Sequence, residues 1–231
     1  MFAGKTILVV GGNGAMGAEF CDQLSHLGAN VLGTARNAET SARLRSDLGA
    51  RLLLDLESPV SITALTNYLL ALPTHIDGII LASGLVAFGS VNETPISVTS
   101  RLMQVNALGQ MQLVQELLPK LQESASAGKS PFVISISGVI SEKPMAGLAS
   151  YSASKTALHG YVLAASKEFK KLGITWLDAR PGHTETGLAS RAIFGTAPNF
   201  GAGLSSAFVV RRILDGIANS ETDIPSTAFQ L

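Results

Sequence analysis

Short apolar runs recur along this chain, each followed by a longer segment with helical spacing, and that alternation leaves few folds open. The runs are Lys5–Val10, Asn30–Ala35, Arg51–Asp55, Ile76–Leu81, Phe132–Ser137 and Ile174–Ala179. Helical segments are expected over Ala15–Gly28, from the second run to about Leu48, and over Val60–Leu72, Arg101–Ser124, Ser150–Leu172 and Ser205–Asn219. Pro119 predicts a kink or an early end in the fourth of these to be named, and Ser124–Pro131 reads as a loop. A short last strand is expected at Thr222–Ile224. Strands that stay apolar along their length are buried on both faces, as in parallel sheets covered by helices. The expected architecture is α/β: one doubly wound parallel sheet with helices on both faces. No linker or repeat divides the chain, so residues 1–231 read as a single domain. Ligands of such sheets bind outside the C-terminal ends of the strands. Residues that carry chemistry should therefore follow strands closely.

Composition narrows the function classes. The chain is 46% hydrophobic and 15% charged, enough apolar material for a large core. A formal net charge of zero gives no electrostatic basis for binding nucleic acid or an anionic membrane. Cys21 is the single cysteine, so no internal disulfide forms, which fits a reducing compartment. The opening "MFAGKTILVVGG" lacks the basic region and long apolar run of a signal peptide, and no apolar run reaches about 18 residues. A cytoplasmic protein is expected. His26, His75, His159 and His183 show no metal-ligand spacing, so no metal site is expected. His159 reads as structural, and His183, after a Pro-Gly turn, is a candidate to face a substrate.

Between the first strand and the first helix lies "VVGGNGAMGAEF", with Gly11, Gly12, Gly14 and Gly17. Glycines let main chain approach a ligand closely, and a helix N-terminus suits a pyrophosphate. Two frames fit a dinucleotide fingerprint, Gly12-x-Gly14-x-x-Gly17 and Gly11-x-x-Gly14-x-x-Gly17. The second strand ends "GTARN". An acid there would hold the ribose 2′-hydroxyl of NAD, but none is present. Arg36 stands one residue beyond that place, either to pair with the 2′-phosphate of NADP or as a solvated arginine. Asp55 either accepts from an adenine amino group or serves as a turn residue or helix cap.

Tyr151 and Lys155, four apart on a predicted helix, share one face. A tyrosine titrates near pH 10, and a neighbouring ammonium favours its phenolate, so the pair suits proton transfer.

With "YSASKTAL", "VNALGQ" (Val105–Gln110) and "ARPGHTET" (Ala179–Thr186), the chain resembles the short-chain dehydrogenase/reductase family over nearly its whole length. The resemblance implies a Rossmann-type fold and hydride transfer between a nicotinamide and a carbonyl/alcohol pair. It implies that Tyr151 is the general acid/base, that Lys155 binds the nicotinamide ribose and tunes Tyr151, and that Asn106 holds a proton-relay water. The residue readings and the resemblance together give an expected cofactor set of Gly11, Asn13, Gly14, Ala15, Met16, Arg36, Asp55, Leu56, Ala82, Gly84, Tyr151, Lys155, Pro181, Thr184 and Thr186, and the resemblance implies that Thr186 orients the carboxamide. With Arg36, NADP(H) is expected over NAD(H).

Two departures stand out. The family's serine lies thirteen residues before the tyrosine, which here is Gly138. Ser137, one residue earlier, is the expected replacement, with Ser141 a second candidate. "LASG" (Leu81–Gly84) replaces the family's Asn-Asn-Ala-Gly. These departures support an alternative, a non-catalytic NADP(H)-binding sensor or partner module. The substrate loop is expected at 187–203, with Leu188, Ile193, Phe194 and Phe200 as apolar lining. The apolar stripes Leu102, Val105, Leu113, Leu117 and Leu158, Tyr161, Val162 suggest a homo-oligomer, a dimer or tetramer.

Overall fold

The computed structural model describes residues 1–230; the last position of the expected domain lies outside them. Seven parallel strands form one sheet in the order β3-β2-β1-β4-β5-β6-β7. They are β1 Thr6–Val10, β2 Asn30–Ala35, β3 Ala50–Leu53, β4 Gly78–Leu81, β5 Phe132–Ile136, β6 Thr175–Ala179 and β7 Asp223–Ile224. The order reverses between β1 and β4, which opens a crevice beyond their C-terminal ends.

The apolar strands have two covered faces, as their composition requires. Along β1, Leu8 and Val10 point into one core and Ile7 and Val9 into the other. The first core is closed by α3 (Pro59–Ala71), α5 (Gly109–Ser126) and α6 (Ala149–Lys171). The second is closed by α1 (Ala15–His26) and α7 (Ser206–Ala218), through Phe20, Leu24, Val209 and Ile213. Burying a side chain of this size contributes about 1.5–3 kcal/mol. Among the described residues, no helix is long and apolar enough to cross a membrane.

Four local expectations change. The second helix, α2, is only Ala38–Ser41, held by a capping box between Asn37 and Thr40. The helical run expected from Arg101 begins earlier, as α4 (Ile96–Met103), and passes through a π-helical turn, Gln104–Leu108, into α5. Pro119 does not end α5, because Leu113, Val114, Leu117 and Leu121 are buried on both sides of it. The third strand stops at Leu53, which leaves Asp55 in the turn beyond it.

The stripes expected to call for a second subunit are absorbed by the chain itself. Leu102, Leu113, Leu117 and Leu158 are fully buried, Val105 and Val162 nearly so, and Tyr161 packs against Trp176. Their spacing reflects helices that cover a sheet, and of the stripe residues only Tyr161 keeps partial exposure.

Candidate active site

The glycine loop crosses the C-terminal end of β1. Gly11 has φ +80°, and a Cβ on Gly17 would lie 2.1 Å from the Gly11 carbonyl oxygen. The Gly14 N–H donates to that same carbonyl at 3.0 Å. Gly11, Gly14 and Gly17 are therefore the frame that shapes the loop, while Gly12 faces Cys21 and Leu44. Gly14 caps α1, so Ala15 and Met16 open the helix where N–H groups lack intrahelical acceptors. The Gly11 N–H donates to Thr34 Oγ1 at 3.0 Å, which ties the loop to β2.

A cleft of about 120 Å³ follows. Of the residues expected to hold a cofactor, Gly11, Asn13, Arg36, Asp55, Leu56 and Gly84 line it. Asp55 takes the turn role as well: its Oδ1 accepts the Glu57 N–H at 3.0 Å, and Ser58 is the cap of α3. Glu57, also on the wall, was not anticipated. Its carboxylate accepts from Arg101 at 2.8 and 3.1 Å and lies 3.6 Å from Arg36 Nη1. The sequence signal was present, an acid two residues past the expected third strand, but nothing local pairs it with Arg36.

At the inner end of the cleft stands Gly84. A Cβ there would lie 3.3 Å from Asn106 Oδ1 and 3.5 Å from Lys155 Nζ. Asn106, fully buried in the π-helical turn, accepts the Leu85 N–H at 2.8 Å. Its amide donates to Leu85 O at 2.9 Å and Ser154 Oγ at 3.0 Å. Both donors are thus used on protein, and only an Oδ1 lone pair is left for a relay water. Lys155 Nζ donates to Ile136 O at 2.8 Å. Burial pushes its pKa down to about 8, against an upward pull from Asp178.

Burial alone acts on Tyr151 and pushes its pKa up to about 12. No contribution from Lys155 enters that shift, and the Lys155 ammonium donates to the Ile136 carbonyl. Like an unperturbed phenol, Tyr151 stays protonated at neutral pH.

Ser137 does not face the cleft. It is fully buried, and its hydroxyl donates to Asp178 Oδ2 at 2.6 Å. Ser141 donates to Gly138 O at 2.7 Å and Ser137 Oγ at 3.2 Å. Side chains alternate along a strand, so Ser137 shares the face of Ser135, which also donates to Asp178. His159 Nδ1 lies 2.8 Å from the same carboxylate, which makes it structural. Gly138 has φ +74° and leads into the turn where Val139 N–H donates to Pro181 O.

Of the remaining candidates, Ala82 donates its N–H to Val10 O, and Met16 packs on the α1/α7 core. Thr184 bridges to Leu204, and Thr186 Oγ1 accepts the Leu188 N–H at 3.3 Å. The Thr184–Leu204 bridge closes the base of the 187–203 segment. That segment folds onto 86–88 through Ile193 N–H to Val86 O and Phe88 N–H to Phe194 O, each 2.9 Å. Leu188 and Phe200 pack with Tyr151 on a cluster of Val86, Phe88, Ile140 and Leu148. His183 lies against Phe200, ring centres 5.1 Å apart.

Comparison with known proteins shows what the chain as a whole is similar to. Residues 5–193 match the family model described as short chain dehydrogenase. A Drosophila melanogaster dehydrogenase/reductase SDR family protein 7-like is 27% identical over 96% of this chain and 72% of its own. A short-chain dehydrogenase from Sphingobium yanoikuyae, solved in complex with NADPH, has a TM-score of 0.83 at 21% identity, covering 96% of this chain and 87% of that one. A 3-ketoacyl-(acyl-carrier-protein) reductase from Brucella melitensis, complexed with NADH, has a TM-score of 0.87 at 17% identity over the full length of both chains.

Proposed function

The chain belongs to the short-chain dehydrogenase/reductase family of NAD(P)-dependent oxidoreductases, and on that premise we propose that it interconverts a carbonyl and an alcohol with NADP(H), Tyr151 being the general acid/base. The observation that carries this reading is the convergence of Asn106 and Lys155 on Gly84, at the inner end of the cleft that reaches Arg36. A nicotinamide dinucleotide fits the residues present: the Cβ position of Gly14 meets only the Gly11 carbonyl, at 3.5 Å, so the loop leaves room for a pyrophosphate. When bound, the nicotinamide supplies or accepts the hydride.

The protein's own groups do the rest. The N–H groups at the start of α1 hold the pyrophosphate. Arg36 pairs with the 2′-phosphate, Asp55 lies at the adenine edge, and Lys155 holds the ribose. Thr186 and the Pro181 turn position the carboxamide. Tyr151, protonated at neutral pH, delivers its proton to the carbonyl oxygen, and the phenolate charge that develops is opposed by the Lys155 ammonium. Ser137 takes no part. The 187–203 segment, through Leu188 and Phe200, favours a substrate with apolar bulk beside its carbonyl.

The test follows NADPH absorbance across a panel of hydrophobic ketones and aldehydes. Wild-type protein should turn over part of the panel, and Tyr151→Phe should keep NADPH affinity and lose turnover. Near wild-type rates in the variant would remove Tyr151 from the chemistry. A second reading, a non-catalytic NADP(H)-binding module, is favoured by glycine at 138 and by the inward turn of Ser137. Tight NADPH binding without turnover of any carbonyl compound would select it.

A further inference from the structure

We propose that Glu57 limits the preference of this chain for a 2′-phosphorylated cofactor by competing with the phosphate for Arg36. The inference rests on the NADP(H) reading above and concerns one residue that reading does not use.

The geometry begins with strand pairing. β2 and β3 run parallel in register, Ala35 opposite Leu53, so the residues just past both ends meet on one cleft wall. The acid missing from the end of β2 is thereby supplied from beyond β3. Arg36 Nη1 lies 3.6 Å from Glu57 Oε1. On its other side Glu57 is held by Arg101, with Nη2 to Oε1 at 2.8 Å and Nε to Oε2 at 3.1 Å. Its backbone N–H is fixed on Asp55 Oδ1 at 3.0 Å, in the turn ahead of α3. The hydrogen bond from Arg101 holds the Glu57 carboxyl below the usual range, so it is ionised at neutral pH.

A 2′-phosphate carries close to two negative charges. To reach Arg36 it must displace Glu57 or crowd it, and like charges at that distance repel. A ribose 2′-hydroxyl carries no charge and meets no such opposition. Arg101 acts in the opposite sense, because it neutralises Glu57 and shares with Arg36 the Oε1 oxygen. Removing the acid and removing Arg101 should therefore change phosphate affinity in opposite directions. A purely structural role for the three residues would weaken binding in both cases.

The experiment is titration calorimetry of the full chain with 2′,5′-ADP and with 5′-ADP, at low and at high salt. Glu57→Gln should tighten 2′,5′-ADP roughly two- to fivefold, the range set by exposed ion pairs, and leave 5′-ADP unchanged. Arg101→Ala should weaken 2′,5′-ADP by a similar factor, and Glu57→Gln/Arg101→Ala should restore it. High salt should shrink every difference. No change in Glu57→Gln, or a weakening of 2′,5′-ADP, overturns the inference. So does a selective loss of 5′-ADP, which would make Glu57 a ribose ligand. Arg36→Ala separates the two levels. If it weakens 2′,5′-ADP while Glu57→Gln does not tighten it, only the present inference falls. If Arg36→Ala leaves 2′,5′-ADP untouched, the NADP(H) reading falls first.

Discussion

Ser137 gives its hydroxyl to the Asp178 carboxylate at 2.6 Å, across the β5–β6 pairing, and that bond takes the serine out of the cleft. Asp178 is a buried acid with several partners: Ser135 at 2.7 Å, His159 at 2.8 Å and Arg180 at 3.4 Å. Arg180 is in turn shared with Glu142 and Asp223. A buried carboxylate needs such donors, because leaving one unpaired costs several kcal/mol. Ser137 is one of the donors that meet this need.

Ser137→Ala should accordingly affect stability and not chemistry. The lost hydrogen bond to a charged group is expected to cost about 1.5–3 kcal/mol. Turnover at a temperature where the variant is folded should stay within about threefold, against the ~10²–10³-fold that loss of an oxyanion donor gives. Urea denaturation beside a rate assay checks both. A large rate loss at unchanged stability would return Ser137 to the active site.

Gly17→Ala should disable the cofactor end. Its new Cβ would meet the Gly11 carbonyl at 2.1 Å, a contact with backbone that no side-chain rotation relieves. Overpacking of this kind costs about 1–3 kcal/mol. Thermal unfolding should show the loss, and nucleotide affinity should fall at least tenfold as α1 is pushed from the loop. Gly128→Ala, where a Cβ meets nothing within 4 Å, is a control for the loop effect. Its backbone φ of +73° will cost some stability, but nucleotide binding should be unchanged.

Lys155 predicts two pH effects with a common cause. Burial lowers its pKa from 10.5 to about 8 in the folded chain. Between these values the unfolded state binds more protons, so this residue makes stability rise as pH climbs from about 8 to about 10.5. Below about pH 8 its unfavourable contribution is fully present. In the proposed mechanism the Lys155 ammonium opposes the developing phenolate, so kcat/KM for reduction should fall above about pH 8. Asp178 pulls the Lys155 pKa upward, so Asp178→Asn should move that alkaline limb to lower pH. A limb that stays in place in folded Asp178→Asn protein would separate Asp178 from Lys155.

Arg36→Ala should weaken NADPH about three- to tenfold and leave NADH nearly unchanged. The factor is modest because the side chain is 56% exposed and shared with Glu57. Fluorescence titration with both cofactors measures it. Equal losses of NADPH and NADH would place Arg36 outside the phosphate site.

The sequence by itself determined what depends on near neighbours. Apolar strands such as Leu8–Val10 require cover on both faces, so a helix-covered parallel sheet was legible from their pattern. The glycine loop was legible because a strand and a helix meet within a few residues around Gly11 and Gly17. Tyr151 and Lys155 were legible as one helical face because four residues make about one turn. Only the tertiary structure decided matters that depend on a second segment. Strand pairing placed Asp178 beneath Ser137, so a serine one position from its expected place turned inward. The same kind of pairing, β2 with β3, brought Glu57 to Arg36 from 21 residues away. Burial then raised the Tyr151 pKa and lowered that of Lys155, which their spacing could not reveal. Spacing along a chain fixes which side chains share a face, whereas the partner of a face and its depth from water are set by segments distant in sequence.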